Sequence, residues 1–537
     1  MPAAPSVRID RWILGAVILA SGIVFLDSTI VNVALPTIGR ELPATYIGVL
    51  EGQAYVTSGY LAVLAALLIV GGSLADHYGR RLIFGIGLAL FGLTSALCGL
   101  APSFELLVVF RLLQGAAGAL LVPGSLSIIT ASFEGETRAR AFGIWAAATS
   151  ALTVLGPLVG GLIVQLLSWR VAFLVNVPLV LLALYATLGH VPESRDETAS
   201  RHIDWLGAIV VALAVGGISF GLIRGQEQHW SDWLAFSVLG IGLVAAALFP
   251  ALMLKRPDPL VPPALFRHRS FVVINLSTFL IYGALYVYSL LLSLFLQGVL
   301  GYSAVAAAAV SLPVGVLIAL GSTRVGTLAG RIGPRPFLVV GPLLMAAGLA
   351  WLVRIPADSR PWQLQPGAGL TLPPPGMFVD VMPSTLLFGV GIMLVVAPLT
   401  TALMASVPVR NAGLGSAFNN AVSRVGQPLI LAVLFIAISA TFYGSLARDV
   451  PGMDSSSVAA RKTLQPLNPP PADTPHDEMV AIGVASTDAF HLAMLASAAL
   501  LLAGAAVNGF GLRGGRVTQV ESDDSAVPAA AAKEGAA

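Results

Sequence analysis

Apolar runs long enough to cross a bilayer recur along the whole chain and restrict the folds open to it. A spanning helix needs about 20 mostly apolar residues, and the sequence holds fourteen such runs. They lie near residues 12–34, 50–72, 82–101, 105–130, 140–166, 169–189, 204–224, 233–254, 270–298, 304–329, 336–354, 381–405, 413–440 and 488–510. Only 10% of the residues are charged, against about 25% in a typical soluble domain. The sequence therefore predicts an all-α membrane protein with fourteen transmembrane helices.

Lysine and arginine predict how the chain is oriented. With the N-terminus in the cytoplasm, the inner loops and termini carry 18 basic residues and the outer loops carry eight. Because short cytoplasmic loops are enriched in these residues, we expect a multi-pass protein of the cell membrane with both termini cytoplasmic. Residues 355–378 and 441–487 are predicted outer loops, and residues 512–537 are a predicted disordered cytoplasmic tail.

Composition argues against several functions. The net charge of +2 gives no basic surface for nucleic acid. A single cysteine, Cys98, excludes a disulfide framework and a cysteine-based metal site. No histidine falls deep in an apolar run, so no metal site is expected, and no lysine follows a glycine as a Walker A sequence requires. We expect no cofactor. Any pumping would draw on an ion gradient, such as a proton gradient, or on a separate ATPase subunit.

The chain also repeats itself. The segment "GSLADHYGRR" (residues 72–81) joins the second and third runs, and "GTLAGRIGPR" (residues 326–335) joins the tenth and eleventh. Their equivalent places predict two six-helix bundles with an extra helix pair between them. The predicted divisions are residues 1–190 for the first bundle, 191–256 for the extra pair with its linkers, and 257–511 for the second bundle.

Four stretches carry a resemblance to a known family. They are "LDSTIVNVALP" (residues 26–36), "GSLADHYGRR", "RLLQGAAGA" (residues 111–119), and "GPLVGG" (residues 156–161) followed by "WRVAFLVNVP". Together they resemble the major facilitator superfamily, in particular its fourteen-helix drug/proton antiporter branch. Three positions depart from the usual pattern of the branch or of the repeat: Leu152, Tyr55 and Gly330.

The resemblance implies a major facilitator fold and a proton-coupled exporter of small amphipathic compounds such as drugs, metabolites or lipids. Its expected partners are the lipid bilayer, the small substrate and protons, and it is expected to function as a monomer in a bacterial plasma (inner) membrane. The alternative is a proton symporter or uniporter that imports a small nutrient. Since the runs hold only one deep acid and one deep arginine near it, an enzyme is not expected.

Asp27 lies inside the first apolar run, about seven residues and hence about 10 Å from its outer end. Arg111 lies at a matching depth in the fourth run, which crosses in the opposite direction. Buried charges are tolerated when they are paired, so we predict an Asp27–Arg111 pair, either direct or bridged by Gln114 or water. A helix movement that changed this pair would load and release a proton. The alternative is a fixed salt bridge that only joins two helices.

The loop "GSLADHYGRR" is predicted to have a mechanical role. Gly72 would let helices cross closely, Gly79 would permit a positive φ, and Asp76 would face the positive end of a helix. The resemblance implies that this loop stabilises an outward-facing state. Alternatively, Arg80 and Arg81 only set the topology.

In "GPLVGG", Gly156 and Gly160 lie four residues apart on one helix face, which predicts close packing. Pro157 lacks an N–H group and is expected to bend the helix, and Gly161 ends the motif. The functional interpretation is a pivot against a helix of the other bundle. Generic tight packing is the alternative.

A polar and aromatic stripe marks the ninth run, where residues recur every three or four positions. Its predicted cavity-lining members are Asn275, Phe279, Tyr282 and Tyr286, with Ser289 and Ser293 beyond them. Trp145 in the fifth run is a weaker candidate for the same cavity. Arg424 in the thirteenth run is expected to snorkel to the interface, with binding of an anionic group as the alternative.

Overall fold

The computed structural model describes residues 10–195, 204–228, 230–256, 259, 261, 263–363, 372–407, 412–450, 457, 461, 463–471 and 474–512. Within these residues all regular secondary structure is helical. The predicted tail beyond residue 512 lies outside them.

Seven helices make up the first bundle. They are α1 (Arg11–Glu41), α2 (Val49–Tyr78), α3 (Arg80–Gly99), α4 (Phe104–Ser132), α5 (Gly135–Leu166), α6 (Trp169–Leu174) and α7 (Asn176–His190). The helix α1 packs against α4, α5 and α7, while α2 and α3 both pack against α4. Together, α6 and α7 form one span.

The extra pair and the second bundle follow. Their helices are α8 (Trp205–Glu227), α9 (Trp233–Lys255), α10 (Arg269–Leu294), α11 (Ala304–Ile332), α12 (Arg335–Trp351), α13 (Met382–Ala405), α14 (Ala412–Asp449) and α15 (His476–Gly511). In the second bundle, α10 packs against α14 and α15, and α12 packs against α13 and α15. A π-helical turn, Phe295–Val299, prolongs α10.

Twelve of the described helical segments are long and apolar enough to cross a membrane. The helix α2 adds a thirteenth if Val49–Leu68 and Val70–Tyr78, which meet at 46°, count as one span. The remaining predicted span is α5, in which the apolar helix Ala151–Leu166 is shorter than a full span. The predicted all-α membrane fold is confirmed.

Two helices are longer than their apolar runs. The helix α14 continues to Asp449 and α15 begins at His476, so each reaches into the predicted outer loop 441–487. Hydropathy identifies only the part of a helix that suits lipid, and these helix ends carry polar residues.

The extra pair lies beside both bundles, because α8 packs against α9, against α2 and against α14. At the predicted outer end, Tyr55 of α2 stacks on Phe220 of α8 with ring centroids 5.1 Å apart. Nearby, Arg224 Nε lies 2.5 Å from Asp232 Oδ2, and Arg224 Nη1 lies 3.9 Å from Glu51 Oε1. The backbone N–H of Leu234 and then Arg224 hold the pKa of Asp232 below its usual value. These contacts hold α8 against α2.

The bundles meet at the end where the predicted outer loops lie. Ser293 of α10 donates a hydrogen bond of 2.9 Å to the carbonyl oxygen of Asn32 in α1. Gln53 of α2 and Asn468 exchange two side-chain hydrogen bonds of 2.9 and 3.1 Å. Asn468 belongs to a buried stretch, residues 464–468, which we call the outer segment. Within it, Leu467 is fully buried with a φ of 60°.

Candidate functional site

Asp27 is fully buried on α1 and accepts hydrogen bonds from three side chains. Its Oδ2 lies 2.6 Å from Nη1 of Arg111 on α4. Its Oδ1 accepts from Nε2 of Gln114 at 3.2 Å and from Nδ2 of Asn176 on α7 at 2.9 Å. The predicted ion pair is therefore confirmed and is direct, and Gln114 also bonds to both of its members.

Arg111 is only 1% exposed, and its remaining contacts compensate for that burial. Its Nε donates to the carbonyl oxygen of Val56 at 3.1 Å, and its Nη1 also donates to Gln114 Oε1 at 2.7 Å. The guanidinium lies 4.0 Å from the centroid of the Tyr60 ring, a distance at which a cation is attracted to an aromatic face.

Asn176 was not predicted from the sequence. Besides Asp27, its amide donates to Ser95 Oγ on α3 at 3.0 Å, so it links α1, α3 and α7. The available signal was one amide in the apolar stretch "WRVAFLVNVP". Nothing in the local pattern indicated which helix it would face.

A central cavity of about 300 Å³ lies between the two bundles. Arg111 and Tyr60 belong to its wall, so the ion pair borders the cavity, with Asp27 behind Arg111. The described lining residues are Phe25, Ser28, Thr29, Asn32, Thr57, Tyr60, Leu61, Arg111, Thr153, Pro157, Tyr282, Leu285, Tyr286, Tyr288, Ser289, Leu292, Ser311, Val314, Gly315, Ile318, Phe388, Ile392, Val396, Arg424 and Gln427. Small-molecule sites in proteins are commonly clefts of about this size.

The structure divides the predicted cavity residues among several places. Tyr282 and Tyr286 line the central cavity. Phe279 instead lines a second, apolar cavity of about 290 Å³ between α2, α8, α9, α10 and α14. Asn275 accepts a hydrogen bond of 3.0 Å from Asn419, and so lies between α10 and α14. Trp145 donates to Ser21 at 3.1 Å and is not among the lining residues. The cavity is therefore lined by the C-terminal residues of the stripe, and its N-terminal residues, Asn275 and Phe279, lie outside the cavity.

Arg424 does not snorkel to the interface. Its side chain is 4% exposed and lines the central cavity, with its guanidinium 5.6 Å from the centroid of the Phe25 ring on α1. The helix α14 packs against α2, α10 and α15, which keeps the side chain inside the protein.

The loop between α2 and α3 has the predicted turn. Gly79 takes a φ of 122°, and Gly333 takes 93° at the same position of the repeat, as only glycine does readily. Arg80 bonds to Asp76 at 2.8 Å within the same loop. The carboxylate of Glu193 accepts from the backbone N–H groups of Arg81 and Leu82 at 3.0 and 3.1 Å. The acid that caps the N-terminus of α3 is therefore Glu193. The predicted Asp76 pairs instead with the side chain of Arg80.

The close helix crossing lies one residue before the predicted one. A Cβ on Gly72 would lie 3.5 Å from Pro123, an ordinary contact. A Cβ on Gly71 would collide with the carbonyl oxygen of Ala119 and lie 3.0 Å from its carbonyl carbon. The contact of α2 with α4 therefore requires Gly71, and Gly72 has room for a methyl group.

The glycines of "GPLVGG" face two different helices. A Cβ on Gly156 would collide with Thr29, and one on Gly160 would lie 3.0 Å from the Cα of Ile30, so both pack on α1 of the same bundle. Only Gly161 approaches the other bundle, where a Cβ would lie 2.8 Å from the Ala304 carbonyl oxygen. The predicted contact with the other bundle thus rests on Gly161, and Pro157 lines the central cavity.

One departure from the antiporter pattern has a local explanation. Leu152 replaces the usual glycine, and its side chain fills the space beside Gly22 on α1, where a Cβ would collide with it. The two helices remain close because the glycine is on α1 instead of α5.

Comparison with known proteins identifies the family. The family model of the Major Facilitator Superfamily matches residues 17–431. The chain belongs to the major facilitator superfamily. Over 451 residues it is 34% identical to the multidrug resistance protein Stp of Mycobacterium tuberculosis, covering 83% of this chain and 80% of Stp. It is also 34% identical over 428 residues to the tetracenomycin C resistance and export protein of Streptomyces glaucescens, covering 79% and 75%.

Solved structures agree with this fold. A bacterial homologue of the human lysosomal transporter Spinster, in an inward-facing and occupied conformation, superposes with a TM-score of 0.63 at 18% identity. The match covers 93% of this chain and 96% of the homologue. The protein is therefore a multi-pass membrane transporter of the major facilitator superfamily and not an enzyme.

Proposed function

We propose that the protein exports small amphipathic compounds, including antibiotics, in exchange for protons. The relatives named for drug resistance and export support the cargo class and the outward direction. The observation that carries proton coupling is the buried Asp27–Arg111 pair beside the central cavity. The proposed site of action is a bacterial plasma membrane with both termini cytoplasmic, and the proposed functional unit is a monomer.

In this mechanism Asp27 binds the proton, and Arg111 transmits the resulting change of charge to the cavity wall. An ionised Asp27 compensates the charge of Arg111 through their 2.6 Å contact. Protonation removes that compensation, so Arg111 would be left as a buried cation in the cavity wall. A buried unpaired charge is costly, which gives α1 and α4 a reason to shift relative to each other. Cargo bound against Arg111 and Tyr60 would oppose this shift of α1 relative to α4, so cargo and proton would compete for the protein.

Import of a nutrient with protons, or without them, is the second candidate. No contact in the described residues favours it. The tetracenomycin C relative is named for export, and this favours the outward direction.

The test has two stages. Cells lacking their own pumps are first scored for resistance to a panel of amphipathic compounds that includes tetracenomycin C. Inverted vesicles with an acidic interior are then given the compound to which the protein confers the greatest resistance. Antiport predicts gradient-dependent accumulation of the compound and proton release from the vesicles when it is added. Uptake that is unaffected by collapse of the pH gradient would reject proton coupling.

A further inference from the structure

The central cavity contains a charge that no described protein group neutralises. Arg424 is 4% exposed. Within the described part of the chain, Arg424 makes no hydrogen bond or ion pair, and its Nε is buried without a partner. Arg111, the other arginine of the wall, is already paired with Asp27. The described lining residues include no aspartate or glutamate, so the excess charge of the cavity is positive.

Unpartnered neutral groups lie in the same wall. Nε2 of Gln427, three residues along α14, is buried without a hydrogen-bond partner in the described structure. Across the cavity on α1, Oδ1 of Asn32 is also buried without a hydrogen-bond partner in the described structure. Buried polar groups in proteins are nearly always satisfied. Two donors on α14 and an acceptor on α1 therefore indicate a ligand that spans the two bundles.

The chemistry of these donors selects the ligand. A guanidinium presents a planar set of N–H donors that suits a carboxylate, sulfonate or phosphate oxygen pair. The same cavity also has aromatic and aliphatic lining, including Phe25, Tyr282 and Leu285, which suits an apolar body. We propose that Arg424, assisted by Gln427, is the binding group for an anionic head on the amphipathic cargo. This proposal rests on the proposed function as an exporter, and it narrows the cargo to amphipathic anions.

The bilayer provides a second source of the same chemistry. A phospholipid also joins an anionic group to an apolar body, so its headgroup phosphate would satisfy Arg424 in the same way. The shared ligand chemistry is an oxyanion next to an apolar group, and the two sources are separated by the lipid composition in the test below.

The test uses two fluorescent probes that differ by one group. The anion 1-anilinonaphthalene-8-sulfonate carries a sulfonate that N-phenyl-1-naphthylamine lacks. The full chain is placed in phosphatidylcholine nanodiscs, and saturable binding is measured by fluorescence after subtraction of empty nanodiscs. No pH gradient is present, so failure of proton-driven export would leave this result intact, and loss of anion binding would leave the proton test intact.

We expect Arg424→Gln to weaken binding of the sulfonate probe by about tenfold or more, since a charge-assisted hydrogen bond is lost. Binding of the neutral probe should change by less than about twofold on the same reasoning. Arg424→Lys keeps the charge without the planar donors. Its affinity for the sulfonate probe should therefore lie between those of the unmodified protein and Arg424→Gln. The matched control is Arg324→Gln, which alters an exposed arginine of α11 and should affect neither probe.

Three results would overturn the proposal. One is the absence of saturable sulfonate binding by the unmodified protein, and another is equal sulfonate affinity with and without Arg424. The third is equal loss of both probes in Arg424→Gln and in Arg424→Lys, which would mean that the side chain only maintains packing. If Arg424→Lys retains the sulfonate preference, the charge itself is required and the proposal stands.

Added phosphatidylglycerol then identifies the source of the anion. If it weakens sulfonate binding in the unmodified protein but not in Arg424→Gln, the lipid headgroup competes for the site. If it has no such selective effect, the site is assigned to anionic cargo.

Discussion

Arg111 on α4 donates a hydrogen bond of 2.6 Å to Asp27 on α1, and neither side chain is more than 1% exposed. Two helices of one bundle are thus joined by a buried pair of opposite charges. Whatever separates these two residues must supply another partner to each of them or neutralise one of them.

Arg111→Ala should lower stability strongly, because it leaves Asp27 buried without its cation. Removing one partner of a buried pair costs about 3–5 kcal/mol. Thermal unfolding of the purified protein measures this, and Arg324→Ala on the exposed face of α11 is the control. An unchanged melting temperature in Arg111→Ala would mean that Asp27 is compensated by other groups.

Asp27→Asn should yield a folded protein that binds cargo but does not accumulate it in response to a pH gradient. The amide is nearly the same size as the carboxylate and keeps an oxygen for Asn176 or Gln114, but it cannot exchange a proton at neutral pH. Transport is measured in inverted vesicles, with Asp232→Asn at the predicted outer end as the control. Undiminished gradient-driven accumulation by Asp27→Asn would assign the proton to another group.

Gly79→Ala should destabilise the loop between α2 and α3. At a φ of 122° a side chain is strained, and its Cβ would also lie 2.8 Å from Glu193 Oε1. Such strain costs about 1–3 kcal/mol. Gly189→Ala on α7 is the control, because its Cβ would meet no atom within 4 Å and should leave stability unchanged or raised. The comparison requires only melting temperatures of the two variants.

Two neighbouring glycines provide a sharper comparison. Gly71→Ala should lower stability and transport, because the methyl group would collide with the backbone of α4, whereas Gly72→Ala should be tolerated. The expected difference is about 1–3 kcal/mol, as for other overpacked positions. If Gly72→Ala were the more damaging variant, α2 and α4 would cross most closely at Gly72, as the sequence motif predicted.

Gln53 and Asn468 exchange two hydrogen bonds between α2 and the outer segment, so their effects should not be additive. Either single change to leucine leaves a buried amide unsatisfied and should cost about 1–3 kcal/mol. The double variant should cost less than the sum, as a double-mutant cycle of unfolding free energies would reveal. Strict additivity would show that the two amides do not depend on each other.

Much of the fold could be predicted because membrane insertion leaves a strong record in the sequence. Apolar length indicated the helices, and the loop motif predicted the turn at Gly79, which recurs at Gly333 in the second copy. The Asp27–Arg111 pair was also predictable, because two opposite charges at one depth have few alternatives to pairing.

Other parts depend on helix rotation, which periodicity alone does not determine. The stripe on α10 was assigned to one surface, but Asn275 contacts α14 whereas Tyr282 lines the cavity. Arg424 was expected to reach the interface because a lone arginine in a span usually does. Its direction was set by the packing of α14 against α10, which no local pattern records.

The position of α8 has a consequence for movement between the bundles. It lies against both α2 and α14, but the ring stacking of Phe220 and the ionic contacts of Arg224 hold it to α2. If the bundles tilt against each other, these contacts would carry α8 and α9 with the first bundle and let them slide along α14. The apolar cavity enclosed by α8 and α14 would then widen and narrow once in every turnover.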